Sequence, residues 1–287
     1  MSGLLVGTVS RSRRVRNRVA LASTWLAVTA AALPLAFVFA HLLRRGAGIV
    51  GWDFLTADIP ISSRLAGPGM GPAVLGTLLT TGAATAMAVP VGVLAAVYLN
   101  EYGRQGRLPA TIRLLADVMA GVPSIVMGLF VYTAWVLRYG QTGFAGALAL
   151  ACLMLPIVIR SAETALQLVP DELREASAAL GAGSSRTILT VVFPAALPGL
   201  VSGALLAVAR AAGETAPLLF TIGTVTSANP SLLEGTNTAL AAQIFVNARQ
   251  PFEGAIDRAW GAALTLVVLV FVLTAVARLV ARRFTAR

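Results

Sequence analysis

Long apolar segments alternate with short polar ones along the chain. Six of the apolar segments reach the length of about 20 helical residues that is needed to cross a hydrocarbon layer about 30 Å thick. These spans are predicted near residues 19–43, 73–99, 114–137, 144–168, 194–222 and 259–281. A chain inside a bilayer must satisfy its backbone hydrogen bonds internally, and segments of this length do so as helices. The pattern therefore predicts an all-α integral membrane protein with six transmembrane helices.

The composition supports this class. Hydrophobic residues make up 57% of the 287 residues and charged residues only 12%, whereas an ordinary soluble domain is about 25% charged. The formal net charge is +10, and all 22 basic residues are Arg. They cluster at the ends of the apolar segments, so we expect contact with membrane lipid and none with nucleic acid. The first span is longer than the core of a signal peptide, and we expect it to be retained.

The distribution of Arg predicts the orientation, because cytoplasmic loops of membrane proteins carry the excess of basic residues. With the N-terminus inside, 14 Arg lie on cytoplasmic stretches and 6 on outer ones. Both termini are therefore predicted to be cytoplasmic, with an Arg-rich tail over residues 1–18 and a short tail over 282–287. The two longer outer stretches, 44–72 and 223–258, are rich in Gly, Pro, Ser and Asn. They are predicted to be irregular or short-helical, a landing surface for an external partner.

The cytoplasmic segment 169–193, between the fourth and fifth spans, has the pattern of a structured loop. Pro170 suits the first turn of a helix, and Asp171 and Glu172 favour its positive end. An apolar stripe at helical spacing follows, made of Leu173, Ala176, Ala179 and Leu180. This amphipathic helix between two membrane spans predicts a docking element.

Gly181 is expected to end that helix, and a second short helix is predicted over residues 186–192, before Pro194. The order in this loop is Glu175, Ala176, Ser177, three residues, Gly181, nine residues, and then Val191, Val192, Phe193 and Pro194. It resembles the EAA loop of ABC importer permeases, with Ser, Val and Phe as substitutions and every spacing kept. The alternative is an incidental amphipathic helix.

That resemblance implies the type I ABC importer permease fold, with residues 19–281 as the permease domain. It also implies that the loop seats in a cleft of an ATP-hydrolysing subunit and transmits the closure of that cleft. The residues implied in coupling are Arg174, Glu175, Ala176, Gly181 and Pro194. A nucleotide-binding Walker A motif needs Lys, which this chain lacks, so ATP must be hydrolysed by another subunit.

Ionisable residues in the predicted spans are candidates for function, because each costs about 2.5–3.5 kcal/mol at mid-helix. Arg210 and Glu214, four residues apart, share a helix face, and Arg160 precedes Glu163 by three residues. Two Arg–Glu pairs predict a polar path for an anion, since guanidinium groups donate several hydrogen bonds to a tetrahedral oxyanion. The alternatives are internal neutralised bridges and, for Arg160, snorkelling to the membrane edge. No role follows from the sequence for Asp117.

The predicted pathway set also includes Thr215, beside Glu214, and Ser124. Ser124 follows Pro123 and is a candidate to cap a broken helix that faces the substrate, with a plain kink as the alternative. The single His41 and the single Cys152 predict no metal site and no disulfide. No cofactor and no catalytic residue are predicted, so the chain is expected not to be an enzyme.

Five further stretches are distinctive: residues 98–103, 123–126, 156–160, 168–170 and 209–220. From about residue 71 onwards they resemble the phosphate-specific (Pst) importer permeases of the PstA type. The resemblance implies import of inorganic phosphate across the cell membrane. It also implies a heterodimer with a PstC-type permease, a pair of PstB-type ATPase subunits and an external PstS-type phosphate-binding protein.

Three other functions remain open from the residues alone. A permease for another oxyanion, such as sulfate or molybdate, would keep the loop but need not keep the 210–220 stretch. An ion-driven secondary transporter carries charges within the membrane but needs no loop for docking an ATPase. A membrane sensor or assembly scaffold needs neither feature.

Overall fold

The structure, a computed structural model, describes residues 11–64, 67, 69–103 and 106–285, with side chains as far as Leu279. Helices dominate this part of the chain. They are α1 (Arg11–Gly46), α2 (Trp52–Thr56), α3 (Gly71–Val97), α4 (Arg107–Gly121), α5 (Ser124–Val131), α6 (Leu137–Tyr139), α7 (Gly143–Gln167), α8 (Asp171–Ala179), α9 (Ser184–Thr187), α10 (Phe193–Ala212), α11 (Ala216–Thr221), α12 (Leu240–Ala248) and α13 (Glu253–Thr285). Wider π-helical turns occupy Tyr98–Tyr102, Tyr132–Val136 and Ile188–Val192.

Within the described residues, five helices are long and apolar enough to cross a membrane, and six if one bent pair is a single span. The straight ones are Arg11–Gly46, Gly71–Tyr102, Gly143–Gln167, Ser184–Ala212 and Glu253–Leu279. They contain the predicted spans 19–43 and 73–99, and they cover the predicted spans 144–168 and 259–281 except for the last one and two residues. The all-α membrane fold is therefore confirmed.

The third predicted span, 114–137, is not one straight helix. Helix α4 ends at Gly121, a new helix begins at Ser124, and the two are bent by 103°. Pro123 has no N–H to continue the helix and disfavours the helical conformation of the residue before it. Val122 accordingly has an extended backbone, with ψ 127°. The predicted single span over 114–137 is therefore corrected, whereas the broken helix considered at Pro123 is confirmed.

The fifth predicted span, 194–222, is interrupted in a similar way. Helix α10 ends at Ala212, and the short helix α11 begins only at Ala216. Gly213 and Pro217 flank Glu214, and both residue types disfavour a continuous helix; the helix is accordingly broken over residues 213–215.

The second short helix predicted before Pro194 is not a separate element. Helix α9 runs through a π-helical turn into α10 without a break, so that residues 184–212 form one helix. The N–H of Phe193 bonds to the carbonyl of Ile188, five residues back. This wider turn precedes Pro194, which lacks an N–H and lies in the first turn of α10.

Helices α3, α7 and α10 pack against one another at the centre of the molecule. Their contact surfaces are built from small residues, among them Ala84 and Ala88 of α3, Ala147 of α7 and Ala207 of α10. Small side chains allow close approach of helix backbones, which is what drives association where lipid already solvates apolar groups. The arrangement places the last turns of α3 and α7 next to the loop that carries α8.

The two stretches predicted to lie outside contain the short helices α2 and α12, as expected. They are tied together by a hydrogen bond from the Ile59 N–H to the Thr226 carbonyl, at 2.8 Å. A small core beneath them joins Phe54, Met70 and Leu240. The stretches therefore form a packed cap on one end of the helical bundle.

The predicted tails are continuous with the helices as far as they are described. Residues 11–18 belong to α1 and residues 282–285 to α13, so the predicted boundaries at 18 and 281 coincide with no break in the helix. Residues 1–10 and 286–287 lie outside the described residues.

Candidate functional site

The two broken helices meet each other. Helices α5 and α11 pack side by side, and the contact is close at Gly128, where an added Cβ would lie 2.6 Å from the Cα of Pro217. Any side chain at position 128 would push the two segments apart. The structure thus brings together two breaks that lie about 90 residues apart in the chain.

Ser124 is the first residue of α5, and the cap position belongs to Pro123. The hypothesis that Ser124 caps this helix is therefore wrong, because Ser124 lies inside the helix and the residue at the cap position is Pro123. The broken-helix part of the hypothesis is right, since a bend of 103° is far more than a kink. A role for Ser124 in the substrate pathway stays a prediction.

Arg210 and Glu214 lie at the break between α10 and α11. Arg210 is in the last turn of α10, and its Nε lies 3.5 Å from Oε1 of Glu214. The Arg210 side chain is 67% exposed, whereas that of Glu214 is only 17% exposed. Glu214 thus lies beside the guanidinium, while most of the Arg210 side chain stays exposed. Thr215 follows as the cap residue of α11, without a side-chain cap hydrogen bond.

Arg160 is surrounded by carboxylates. Its Nε donates to Oδ1 of Asp117 at 2.8 Å, its Nη1 donates to Oε2 of Glu163 at 3.1 Å, and its Nη2 pairs with the second Asp117 oxygen. Its Nη2 also donates to the carbonyl of Arg113 at 3.2 Å. An anion at Arg160 would compete with these partners. The geometry therefore favours a structural role, in which Arg160 links α7 to α4. The pathway role of Arg160 stays a prediction.

Arg113 completes this cluster; in the sequence it is one of the 14 Arg of the predicted cytoplasmic stretches. Its Nε donates to Oε1 of Glu163 at 2.6 Å and its Nη2 to the carbonyl of Leu99 at 2.9 Å. Glu163 is therefore held between two arginines, and Asp117, for which no role was predicted, neutralises one of them. Only the spacing of Arg113 and Asp117, four residues apart on one face of α4, hinted at this role.

The predicted docking helix is α8. It contains no buried residue, and it ends as expected at Gly181, whose φ is +82°. The Gly181 N–H bonds to the Ala178 carbonyl at 2.9 Å, and the Ala182 N–H bonds to the Ser177 carbonyl at 3.2 Å. Hydroxyls of Ser177 and Thr187, 2.8 Å apart, then join α8 to α9. The loop is a helix-turn-helix, as the spacing predicted.

The outer face of α8 is open. Glu175 and Ala176 are exposed, and so are the two large apolar residues of the stripe, Leu173 at 43% and Leu180 at 89%. A groove of about 500 Å³ lies between α8 and α9, and its lining includes Glu101, Arg174, Glu175 and Ser184 but none of the residues of the apolar stripe. An apolar stripe beside carboxylates is a surface suited to a protein partner. Pro194, by contrast, lies at the start of α10 rather than on this face.

The Arg174 side chain points away from the apolar stripe of α8, towards the ends of α3 and α7. Its Nη2 and Nε donate to the two carboxylate oxygens of Glu101, at 2.9 and 3.3 Å, and the Glu101 side chain is 8% exposed. Its Nη1 donates to the carbonyl of Val169 at 2.7 Å and to Asp171 at 3.2 Å. Hydrogen bonding to Glu101 raises the pKa of the Arg174 guanidinium. Arg174 thus joins α8 to the rest of the chain, and its predicted part in coupling stays a prediction.

Fold and site together define a membrane-spanning transporter subunit with an exposed docking helix. The fold is similar to that of the inward-facing methionine ABC transporter MetNI, with a TM-score of 0.62 and 22% identity over 74% of this chain and 94% of that one. It is also similar to a bacterial ABC transporter involved in the import of alginate, with a TM-score of 0.65 and 15% identity over 96% and 100% of the two chains. The fold is that of type I ABC importer permeases.

Residues 88–287 match the family described as binding-protein-dependent transport system inner membrane component. The chain belongs to this family, and it is a transport component and not an enzyme. It is 42% identical to the phosphate transport system permease protein PstA 1 of Mycobacterium tuberculosis strain H37Rv, over 96% of this chain and 89% of that protein. It is 36% identical to the PstA protein of Haemophilus influenzae, over 93% and 94%.

Proposed function

We propose that the chain is the permease subunit through which an ATP-driven importer moves inorganic phosphate into the cell. The observation that carries the proposal is the 42% identity, over 96% of the chain, to a phosphate transport permease. The largely exposed guanidinium of Arg210, at a break between two helices, is the group best suited to receive the anion. In this proposal the pathway runs past Arg210, Glu214 and Thr215.

Coupling to a separate ATPase is assigned to the loop 169–193. Its support is the open face of α8, which presents Glu175, Ala176 and the Leu173–Leu180 stripe to solvent. The proposed assembly contains a PstC-type second permease, PstB-type ATPase subunits and a PstS-type binding protein. The cap formed by the outer stretches is the proposed contact for the binding protein.

The decisive experiment is uptake of labelled phosphate by the reconstituted complex, with a tenfold excess of arsenate or sulfate as competitor. We expect uptake that requires ATP, falls strongly with arsenate and is unaffected by sulfate. Arsenate has the charge and tetrahedral shape of phosphate, and it can accept the same guanidinium hydrogen bonds. Uptake that continues without ATP, or that sulfate abolishes, would contradict the proposal.

Both termini are proposed to face the cytoplasm, on the basis of the Arg distribution. In a background with Cys152→Ser, Ile61→Cys is expected to react with a membrane-impermeant maleimide on intact cells, since Ile61 is 92% exposed in an outer stretch. Arg287→Cys is expected to react only after permeabilisation. Labelling of position 287 on intact cells would contradict the proposed orientation.

A further inference from the structure

The π-helical turn that follows α3, Tyr98–Tyr102, is gripped by two arginines from different elements. Arg174 of α8 makes a two-pronged contact with the Glu101 carboxylate, at 2.9 and 3.3 Å. Arg113 of α4 donates to the Leu99 carbonyl in the same turn, at 2.9 Å. π-Helical turns are frequent at functional sites, and their extra residue leaves the local hydrogen-bond ladder irregular. The backbone of this turn is therefore less regular than the rest of α3, and its position is fixed by side chains from α4 and α8.

The same Arg174 side chain also holds the end of α7. It donates to the carbonyls of Leu166 at 3.1 Å and Val169 at 2.7 Å. Carbonyls in the last turn of a helix have no partner within the helix, and a cation there is favourable. One guanidinium on the docking helix thus bridges the ends of α3 and α7, which are the central pair of the bundle.

The ion pair between Glu101 and Arg174 is mostly buried and bidentate. Side-chain exposure is 8% for Glu101 and 14% for Arg174, so water screens the pair little. A bidentate bond between guanidinium and carboxylate fixes direction as well as distance. Each charge has a further partner, because Asp171 contacts the Arg174 guanidinium at 3.2 Å and the Asn100 amide donates to Glu101 at 2.6 Å.

We propose that Glu101 is a positioning residue for energy coupling: it locks the docking helix α8 to the end of α3, so that a displacement of α8 moves α3 and α7 together. The Arg113–Glu163 bond, at 2.6 Å, extends the same rigid unit to α4. This inference rests on the proposed function, because it takes α8 as the element that an ATPase subunit moves. It adds a residue outside the EAA loop, 73 positions before Arg174, to the coupling machinery.

The test compares phosphate taken up with ATP hydrolysed, in liposomes that contain the complete complex. For Glu101→Gln we expect assembly and ATP hydrolysis close to wild type. Phosphate moved per ATP is expected to fall roughly 2- to 30-fold, the range for residues on a coupling network. Arg174→Lys keeps both charges but loses the planar fork, and its ratio is expected to fall in the same direction. A purely structural role would lower expression or thermal stability without changing the ratio.

The matched control is Asp171→Asn. Asp171 contacts the same guanidinium, at 3.2 Å, but from within α8 itself, so its loss does not separate α8 from α3. Its ratio is expected to stay within about twofold of wild type, since the side chain is 62% exposed and such pairs contribute little. An equal fall in Asp171→Asn would overturn the inference.

An unchanged ratio of phosphate moved to ATP hydrolysed, in both Glu101→Gln and Arg174→Lys, would also overturn the inference about Glu101. Should Glu101→Gln fail to assemble, Arg174→Lys decides alone. Absence of phosphate uptake by the wild-type complex would instead contradict the proposed function. The two failures are therefore distinguishable in one set of measurements.

Discussion

Gly181→Val is expected to abolish binding of the ATPase subunit and ATP-driven uptake while the membrane helices still insert normally. Gly181 has a φ of +82°, where a Cβ costs about 1–2 kcal/mol, and a β-branched side chain is a genuine outlier there. A Cβ placed at this position meets nothing within 4 Å. The cost is therefore in the backbone, and the chain can avoid it only by redirecting α9 relative to α8. That change separates Ser177 from Thr187 and disrupts the docking surface.

Gly183→Val is the matched control for this experiment. Gly183 lies two residues further along, its φ is −69°, and a Cβ there is also unobstructed. We expect binding near wild type for Gly183→Val. Glu175→Ala is expected to weaken binding modestly, because a rim charge contributes little. The measurement is a pull-down of the ATPase subunit beside uptake at matched expression, and normal values for Gly181→Val would show that the loop is not the coupling element.

Arg210→Gln is expected to lower phosphate uptake by at least about tenfold, since a hydrogen bond to a charged group contributes about 1.5–3 kcal/mol. The variant removes the exposed guanidinium and leaves the Glu214 carboxylate at the same break. That negative charge repels phosphate, so the single variant changes two things. Assembly is expected to be largely retained, because most of the Arg210 side chain is exposed.

The double variant Arg210→Gln/Glu214→Gln separates these effects. Removal of both charges eliminates the repulsion and leaves two neutral side chains of similar size. We expect assembly and thermal stability close to wild type, with uptake still low because no cation receives the anion. Restoration of wild-type uptake in the double variant would show that the pair is a structural bridge, and the pathway role of Arg210 would be lost.

The membrane spans and the docking loop were accessible from the sequence because their signals are local. Apolar length identifies α3, α7 and α13, and fixed spacing identifies the loop up to Gly181. The helix breaks could be predicted only in part. Pro123 indicated a break, but neither the 103° bend nor the packing of α11 against α5 at Gly128 could be predicted from it. A local pattern does not contain that contact.

The charged residues illustrate the same limit. Arg174 was recognised as part of the docking loop, but the direction of its side chain depends on Glu101, 73 residues earlier. Likewise, Glu163 was paired with Arg160 by helical spacing, whereas its shortest bond is to Arg113, 50 residues away. Spacing along a helix finds partners on the same element only, so contacts between elements had to come from the structure.

Helix α1 has a consequence for how the protein is made. It has 36 residues, which at 1.5 Å each give about 54 Å, well beyond a hydrocarbon layer about 30 Å thick. Its only described buried residues, Leu42 and Gly46, lie at one end, where Gly46 sits against Trp260 and Leu264 of α13. Its main packing contact among the described helices is with α13. The position of α1 on the bundle is therefore fixed only when α13, encoded at the far end of the described chain, is in place.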